Sequence, residues 1–488
     1  MNYPRIIQGG MGVAVSNWCL AGAVSQAGQL GVVSGTMIDS VLARRLQDGD
    51  QSGAMRRALA HFPDQEMVKR ILDRYFVPGG KKAQEPYRLV TMHGIKSSAS
   101  LLELTVVANF VEVYLAKEGH DGLVGINFLM KIDLPTLASL YGAMLAGVDF
   151  VFMGAGIPKA IPGILDSLSR HEAVSLKIDV KDALSDDNFT IRFDPRTFFA
   201  KQTRSLKRPK FIAVVSSFTL AQTLAKKASG EVDGFVVEHH SAGGHNAPPR
   251  GGVIADENGE PIYGVKDECN PEDFRKLGRP FWWAGSVATP EKLRAALAFG
   301  AQGIQVGTAF AYCHESGIEA DIKERVLEKA RLGTVRVVTD PVASSSGYPF
   351  KIVELEDTNS ETDVYENRPR ICDLGYLRSP YRRSDGSVGF RCPGEPVEDY
   401  VRKGGQIEDT VGKKCLCNGL MSAVGFAQSQ KDGYVEPALV TAGKELADIV
   451  RFIPAGQTSY SACDVLNILL SSAGEEECRE ASVSGMVS

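Results

Sequence analysis

The run Ala242-Gly243-Gly244-His245 places an ionisable side chain between two glycines and the stiff sequence Asn246-Ala247-Pro248-Pro249-Arg250-Gly251-Gly252. Imidazole titrates near neutral pH, so His245 could take a proton from a carbon acid or hold a developing anion. Glycines before it and prolines after it would pin the ring on a loop. His239 and His240 lie just upstream, where strand alternation sends one inward and one outward; each suits a hydrogen-bonded structural role. Three histidines within seven residues also raise a metal reading, but no Glu or Asp completes a recognisable ligand spacing nearby. No metal site is therefore assigned. Arg250 suits either a substrate anion or a brace for the loop.

Two further motifs suit a phosphate. Ala284-Gly285-Ser286 follows a Trp-rich apolar run, and Val306-Gly307-Thr308 follows the next one. Glycine lets backbone approach an anion closely, and the amides with the hydroxyls of Ser286 and Thr308 can donate to phosphate oxygens. Either glycine alone would be explained by a tight turn. The pair, in register after two successive strands, reads as a phosphomonoester cradle. Near the start, Gln8-Gly9-Gly10-Met11-Gly12 lacks the spacing of a dinucleotide fingerprint, and a flat ring lying against backbone is its more natural occupant.

These motifs need elements to carry them. Short β-rich runs, each followed by a turn and a helical pattern, recur at Ile6-Gln8, Gly31-Ser34, Gly125-Leu129, Phe150-Met153, Phe211-Val215, Gly234-Glu238, Phe281-Ala284 and Gly303-Val306. Eight such units predict an α/β fold, a (β/α)8 TIM barrel, with the motifs at the carboxyl ends of the strands. Ser217 and Thr289-Pro290 are predicted helix starts. The expected organisation is a barrel over residues 1–340, with insertions at about 40–120 and 172–209, and a mostly helical C-terminal cap over 345–488. The second insertion reads as a hairpin, from Ala173-Ile178 and Phe189-Phe193.

With 488 residues, 44% hydrophobic and 23% charged, the chain can bury a large core. Its net charge of -5 offers no whole-molecule attraction to nucleic acid or anionic lipid. No apolar run approaches the ~20 residues that span a bilayer, and Met1-Asn2-Tyr3-Pro4-Arg5 lacks a signal-peptide layout, so a cytoplasmic protein acting on a small molecule is expected; a homo-oligomer stays open. Nine cysteines without regular spacing suggest reduced thiols. In the tail, Cys372, Cys392, Cys415 and Cys417 allow a metal or cluster, a redox pair, or plain buried thiols. Arg402, Lys403, Lys413 and Lys414 suit a solvated face, or a rim for an acyl carrier phosphopantetheine or a nicotinamide dinucleotide.

Pro4-Arg5-Ile6-Ile7-Gln8-Gly9-Gly10-Met11, the run Ala21–Gly31, Ala242-Gly243-Gly244-His245, Ala284-Gly285-Ser286 and Gly307-Thr308-Ala309-Phe310 together resemble the nitronate monooxygenase (2-nitropropane dioxygenase) family, whose barrel is shared by FMN-dependent enoyl reductases. The resemblance covers roughly residues 4–315. It implies FMN, with its phosphate at Gly285, Ser286, Gly307 and Thr308 and its ring over Gly9, Gly10 and Met11 near Asn127, Gly243 and Gly244. It implies His245 as the catalytic base toward a nitroalkane or nitronate, with dioxygen as acceptor. The alternative it carries is an enoyl-thioester reductase using NAD(P)H, and a flavin-binding protein without turnover is the third. His239 and Ser241, with the longer stretch Asn246–Arg250, depart from the family's usual run and bear on the substrate rather than the flavin.

Overall fold

The computed structural model describes residues 3–198 and 204–471. Eight parallel strands form its centre: β1 (Ile6–Gln8), β2 (Gly31–Ser34), β3 (Val124–Leu129), β4 (Phe150–Gly154), β5 (Lys210–Val215), β6 (Gly234–Glu238), β7 (Phe281–Ala284) and β8 (Gly303–Val306). Each pairs with its sequence neighbour, and β8 pairs with β1. The ring closes between β1 and β2, where Ile7 bridges Leu30 and the amides of Gln8 and Leu30 donate to Leu30 and Ile6 carbonyls at 2.9 and 3.1 Å. The fold is a TIM barrel. Against the sequence reading, β3 and β5 begin one residue earlier and β4 runs one residue further, within the usual raggedness of element ends.

Alternation along the strands explains why they close. Ile7, Val32, Phe150, Phe152, Ile212, Val236, Trp282 and Ala284 point inward and form one buried cluster. Their neighbours Ile6, Val33, Val151, Phe211, Val237, Phe281 and Ile304 face outward into a second, larger cluster shared with the helices. Burial on both faces is what a parallel sheet with crossover helices requires. Two crossover helices start where predicted: Ser217 accepts from the Leu220 amide at the start of Phe218–Lys227, and Thr289 accepts from the Lys292 amide ahead of Pro290–Ala298.

Between β2 and β3 lie four helices, Ile38–Gln47, Ala54–Ala60, Gln65–Tyr75 and Ala99–Lys117. The last is long and apolar enough to cross a membrane by length and composition, contrary to the sequence reading, and 72% of that window is buried inside the molecule. Its apolar length packs the core: Leu104, Val107, Phe110 and Val111 are all buried. Between β4 and β5, Val174–Lys177 and Thr190–Phe193 pair as an antiparallel hairpin; residues 199–203 of this stretch lie outside the described residues.

The tail beyond β8 makes two more hairpins, Val337–Asp340 with Phe350–Val353 and Ser379–Arg382 with Val388–Arg391. The charged, Pro-containing run Ser379–Arg382 is thus a strand, at an edge where Pro380 needs no amide and its carbonyl accepts from Lys181 at 3.0 Å. Short helices at Val397–Arg402, Leu416–Ser422 and Ala462–Leu470 are joined by longer irregular stretches. Residues 472–488 of the tail lie outside the described residues. Cys463 is disulfide-bonded, which corrects the expectation of reduced thiols throughout, whereas Cys19, Cys269, Cys313, Cys372, Cys392, Cys415 and Cys417 are unpaired.

Candidate active site

A cavity of about 570 Å³ opens at the carboxyl ends of the strands. It is lined by all eleven residues singled out from the sequence: Gly9, Gly10 and Met11 after β1, Asn127 on β3, Gly243, Gly244 and His245 after β6, Gly285 and Ser286 after β7, and Gly307 and Thr308 after β8. The tail completes the wall with Tyr348, Phe350, Leu377, Leu416, Leu420 and Thr441.

The first loop is held by buried polar side chains. Gln8 donates from Nε2 to Ser16 Oγ at 2.8 Å and accepts the Val32 amide at 3.0 Å, while Ser16 Oγ accepts from the Met11 amide at 2.9 Å and donates to the Gly9 carbonyl at 3.0 Å. A side chain at position 10 would collide with Asn127, since a Cβ there would stand 2.3 Å from the Asn127 Cβ. The backbone therefore lies directly against β3, leaving its other surface to the cavity.

Parallel pairing of Gln305 with Ala284 sets the loops after β7 and β8 side by side. Gly285 has φ +98° and Ser286 φ +50°, both in the left-handed region that glycine tolerates and serine rarely adopts. Lys292 donates to the Ser286 carbonyl and brings a cation to the same loop. The tail lies across both loops: the Gly443 amide donates to Thr308 Oγ1 at 2.9 Å, and Glu445 accepts from the Ala288 amide at 3.3 Å. Burial holds the Glu445 carboxyl above its ordinary value, which favours the neutral form beside an anion.

His245 stands at the meeting point of barrel and tail. Its Nε2 lies 2.7 Å from Ser344 Oγ, its backbone bridges Phe350, and its ring meets Phe350 edge-on at 4.8 Å. Removal from water, then the nearby Lys131 charge, pushes its pKa down to about 4. The imidazole is accordingly neutral at physiological pH.

Behind it lies a buried polar pair that the sequence reading did not single out. Glu238, at the end of β6, faces the cavity, and burial raises its carboxyl to about 7 against the pull of Lys351. Lys351 is fully buried and donates to the His240 carbonyl and to Asn246 Oδ1. Burial lowers its ammonium to about 7, with the Lys444 charge acting the same way. The position of Glu238 at a strand's carboxyl end was a legible signal; Lys351 reaches the site from more than a hundred residues away.

Arg250 braces the loop rather than facing the cavity: its amide meets Asp267 Oδ1 at 2.8 Å and its guanidinium the carbonyls of Lys266 and Ser216 at 2.7 and 2.9 Å. His239 and His240 meet a carboxylate that local spacing did not reveal, with Glu268 Oε1 3.1 and 3.7 Å from their Nε2 atoms. His240 also stacks on Tyr263 at 4.0 Å. The four basic residues read as a rim of the tail are all engaged: Arg402 with Asp399, Lys403 with Glu395, Lys413 with the Ser344 carbonyl and Lys414 with that of Asn359.

Residues 172–358 match the family model described as nitronate monooxygenase. A "Probable nitronate monooxygenase" of Staphylococcus haemolyticus is 31% identical over 187 residues, 38% of this chain and 49% of that protein. A "Nitronate monooxygenase" of Pseudomonas aeruginosa is 30% identical over 151 residues, 31% of this chain and 41% of that one. The chain thus spans about half or less of the length of these curated relatives. Among solved structures, FabK from Thermotoga maritima aligns over 96% of this chain and 92% of its own, at 16% identity and a TM-score of 0.46. The matched segment contains the His245 loop and both glycine loops after β7 and β8, and over residues 172–358 the chain is similar to the nitronate monooxygenase family.

Proposed function

We propose that this chain is an FMN-dependent oxidoreductase that oxidises a nitronate or nitroalkane with dioxygen. The observation that carries the reading is the convergence of the two loops after β7 and β8, the Gly9–Met11 loop and His245 on a single cavity. The residues fit a flavin mononucleotide: closely apposed amides and hydroxyls suit a phosphate, glycine backbone suits a flat ring, and the volume lies in the usual range for a cofactor site. Gly285, Ser286, Gly307 and Thr308 would hold the phosphate, and Gly9, Gly10, Met11, Asn127, Gly243 and Gly244 would border the ring. When bound, the flavin supplies the electron-accepting chemistry.

The chain's own contribution is the neutral His245. A base whose conjugate acid titrates near 4 is a weak proton acceptor toward a neutral carbon acid. An anionic nitronate beside the ring would raise that value by Coulombic attraction, so the histidine would gain its proton as the anion binds. This favours a pre-formed nitronate over the neutral nitroalkane. Tyr348 and Phe350 shelter the ring from water, and Ser344 fixes its orientation.

A second reading, an enoyl-thioester reductase using NAD(P)H and fed by an acyl carrier protein, is favoured by the apolar wall that Leu377, Leu416 and Leu420 add to the cavity. The two are separated by mixing the flavin-loaded protein anaerobically with a nitronate and, separately, with NADPH and an enoyl thioester, while the visible flavin band is followed. Bleaching by the nitronate is expected. Bleaching by NADPH alone would replace this reading with the second, and a protein that binds flavin but responds to neither would be a non-catalytic flavin carrier.

A further inference from the structure

Four cysteines of the tail, scattered in sequence, gather around one small cavity. Cys372, Cys392, Cys415 and Cys417 all line it, with Glu395 and Asn418 beside them. Cys417, Leu416 and Leu377 also line the large cavity, so the two spaces share a wall.

Buried cysteines that merely fill space need apolar neighbours. These have, beside apolar neighbours such as Leu374, Leu377 and Leu416, buried polar groups without partners. Glu395 and Asn418 are 2% and 4% exposed, and Glu395 Oε1 and Asn418 Oδ1 have no hydrogen-bond partner. Arg368, 7% exposed and beside Cys415, leaves two guanidinium nitrogens unpartnered even though its Nε reaches Glu436 at 2.8 Å. Arg378, on the cavity wall, adds a second cation close to Cys372 and Cys392. Backbone amides face the sulfurs: those of Gly394 and Glu395 toward Cys392, those of Tyr376 and Leu377 toward Cys417, and that of Asn418 toward Cys415. Cations and amides turned toward sulfur are the surroundings of an anionic thiolate group. Burial pushes all four thiols up and favours their neutral form; metal binding releases those protons and supplies the charge that the surroundings match.

We propose that Cys372, Cys392, Cys415 and Cys417 hold a thiolate-ligated metal centre that fastens the tail beside the main cavity. No three of these sulfurs stand within 4.8 Å of one another. A single zinc-class ion, with metal–sulfur bonds near 2.3 Å, would therefore draw them inward, whereas an iron–sulfur cluster would bridge them.

The test is the metal content of the full chain, purified without oxygen from medium supplemented with zinc and iron. One equivalent of zinc, or iron accompanied by acid-labile sulfide and visible absorbance that persists after flavin removal, is expected. Cys415→Ser/Cys417→Ser should lose at least four-fifths of that metal, while Cys19→Ser, outside the cluster, keeps it. X-ray absorption at the metal edge of the unsubstituted protein gives a second readout that does not depend on a variant folding: sulfur neighbours near 2.3 Å support the centre. Absence of bound metal, a nitrogen- and oxygen-only shell, or full retention in the double variant would overturn it.

Discussion

The barrel side of the main cavity is rich in glycine, with Gly9, Gly10, Gly243, Gly285 and Gly307 bringing backbone to the cavity at the ends of rigid strands beside the side chains of Asn127 and Glu238. On the tail side the wall is side chains: Tyr348, Phe350, Leu377, Leu416, Leu420 and Thr441 come from irregular segments and short elements. Strand ends can place backbone accurately because the ladder fixes them, which suits a part that must hold a common group such as a phosphate. Apolar side chains carried by loops set the shape seen by whatever lies beyond that group. Under the proposed function, the difference would divide the labour, with the barrel loops holding the cofactor and the tail shaping the space left for a substrate.

The sharpest way to break that division is at position 10. Gly10→Ala forces a Cβ to 2.3 Å from Asn127 Cβ and 3.0 Å from Val32 Cγ1. About 3 kcal/mol of stability should be lost through overpacking, with flavin binding lost as well; denaturant unfolding and flavin retention read both. A stable, yellow variant would show that the barrel loop tolerates displacement.

Lys351→Met probes the seam between the two sides. It leaves the His240 carbonyl and Asn246 Oδ1 without their buried donor, which should cost about 2 kcal/mol. The expected signature is a lower unfolding midpoint together with a raised KM. Unchanged values would mean that apolar contacts alone hold the tail.

Thr441→Val removes two bonds across the same seam, from the Gly244 amide at 3.1 Å and to the Lys351 carbonyl at 2.6 Å. A loss of about 1 kcal/mol is expected, with flavin affinity affected less than turnover.

A further effect is in the pH profile. The folded-state pKa of Glu238 is raised to about 7, so its carboxylate opposes folding progressively as pH rises from 4.5 through 7. His245 is lowered to about 4, so its contribution is lost as pH falls from 6.5 toward 4. Glu238→Gln should therefore flatten the decline of Tm between pH 5 and 8 and leave the acid limb unchanged. A Tm profile parallel to the parent would show that Glu238 is well solvated through the cavity mouth.

The barrel was legible because its signals are local. Each strand is a short apolar run, and each glycine motif follows one directly, so Gly285, Ser286, Gly307 and Thr308 could be read together before any contact was known. The tail was not, because its partners are distant in sequence. Ser344 reaches His245 and Lys351 reaches Asn246 only after the chain has closed on itself. Charge and proline at Ser379–Arg382 carry no strand signal, yet the run pairs with Val388–Arg391.

The tail touches the barrel rim in two passes, 344–351 and 441–445, and the passes are joined to each other: the Val353 amide donates to the Val440 carbonyl at 2.9 Å, and Thr441 to Lys351. Lifting the second pass from Thr308 must therefore strain the first, which positions His245. If the cavity holds a flavin as proposed, its release past Thr308 would also disturb the contacts that orient His245, so cofactor exchange and histidine positioning would be mechanically coupled.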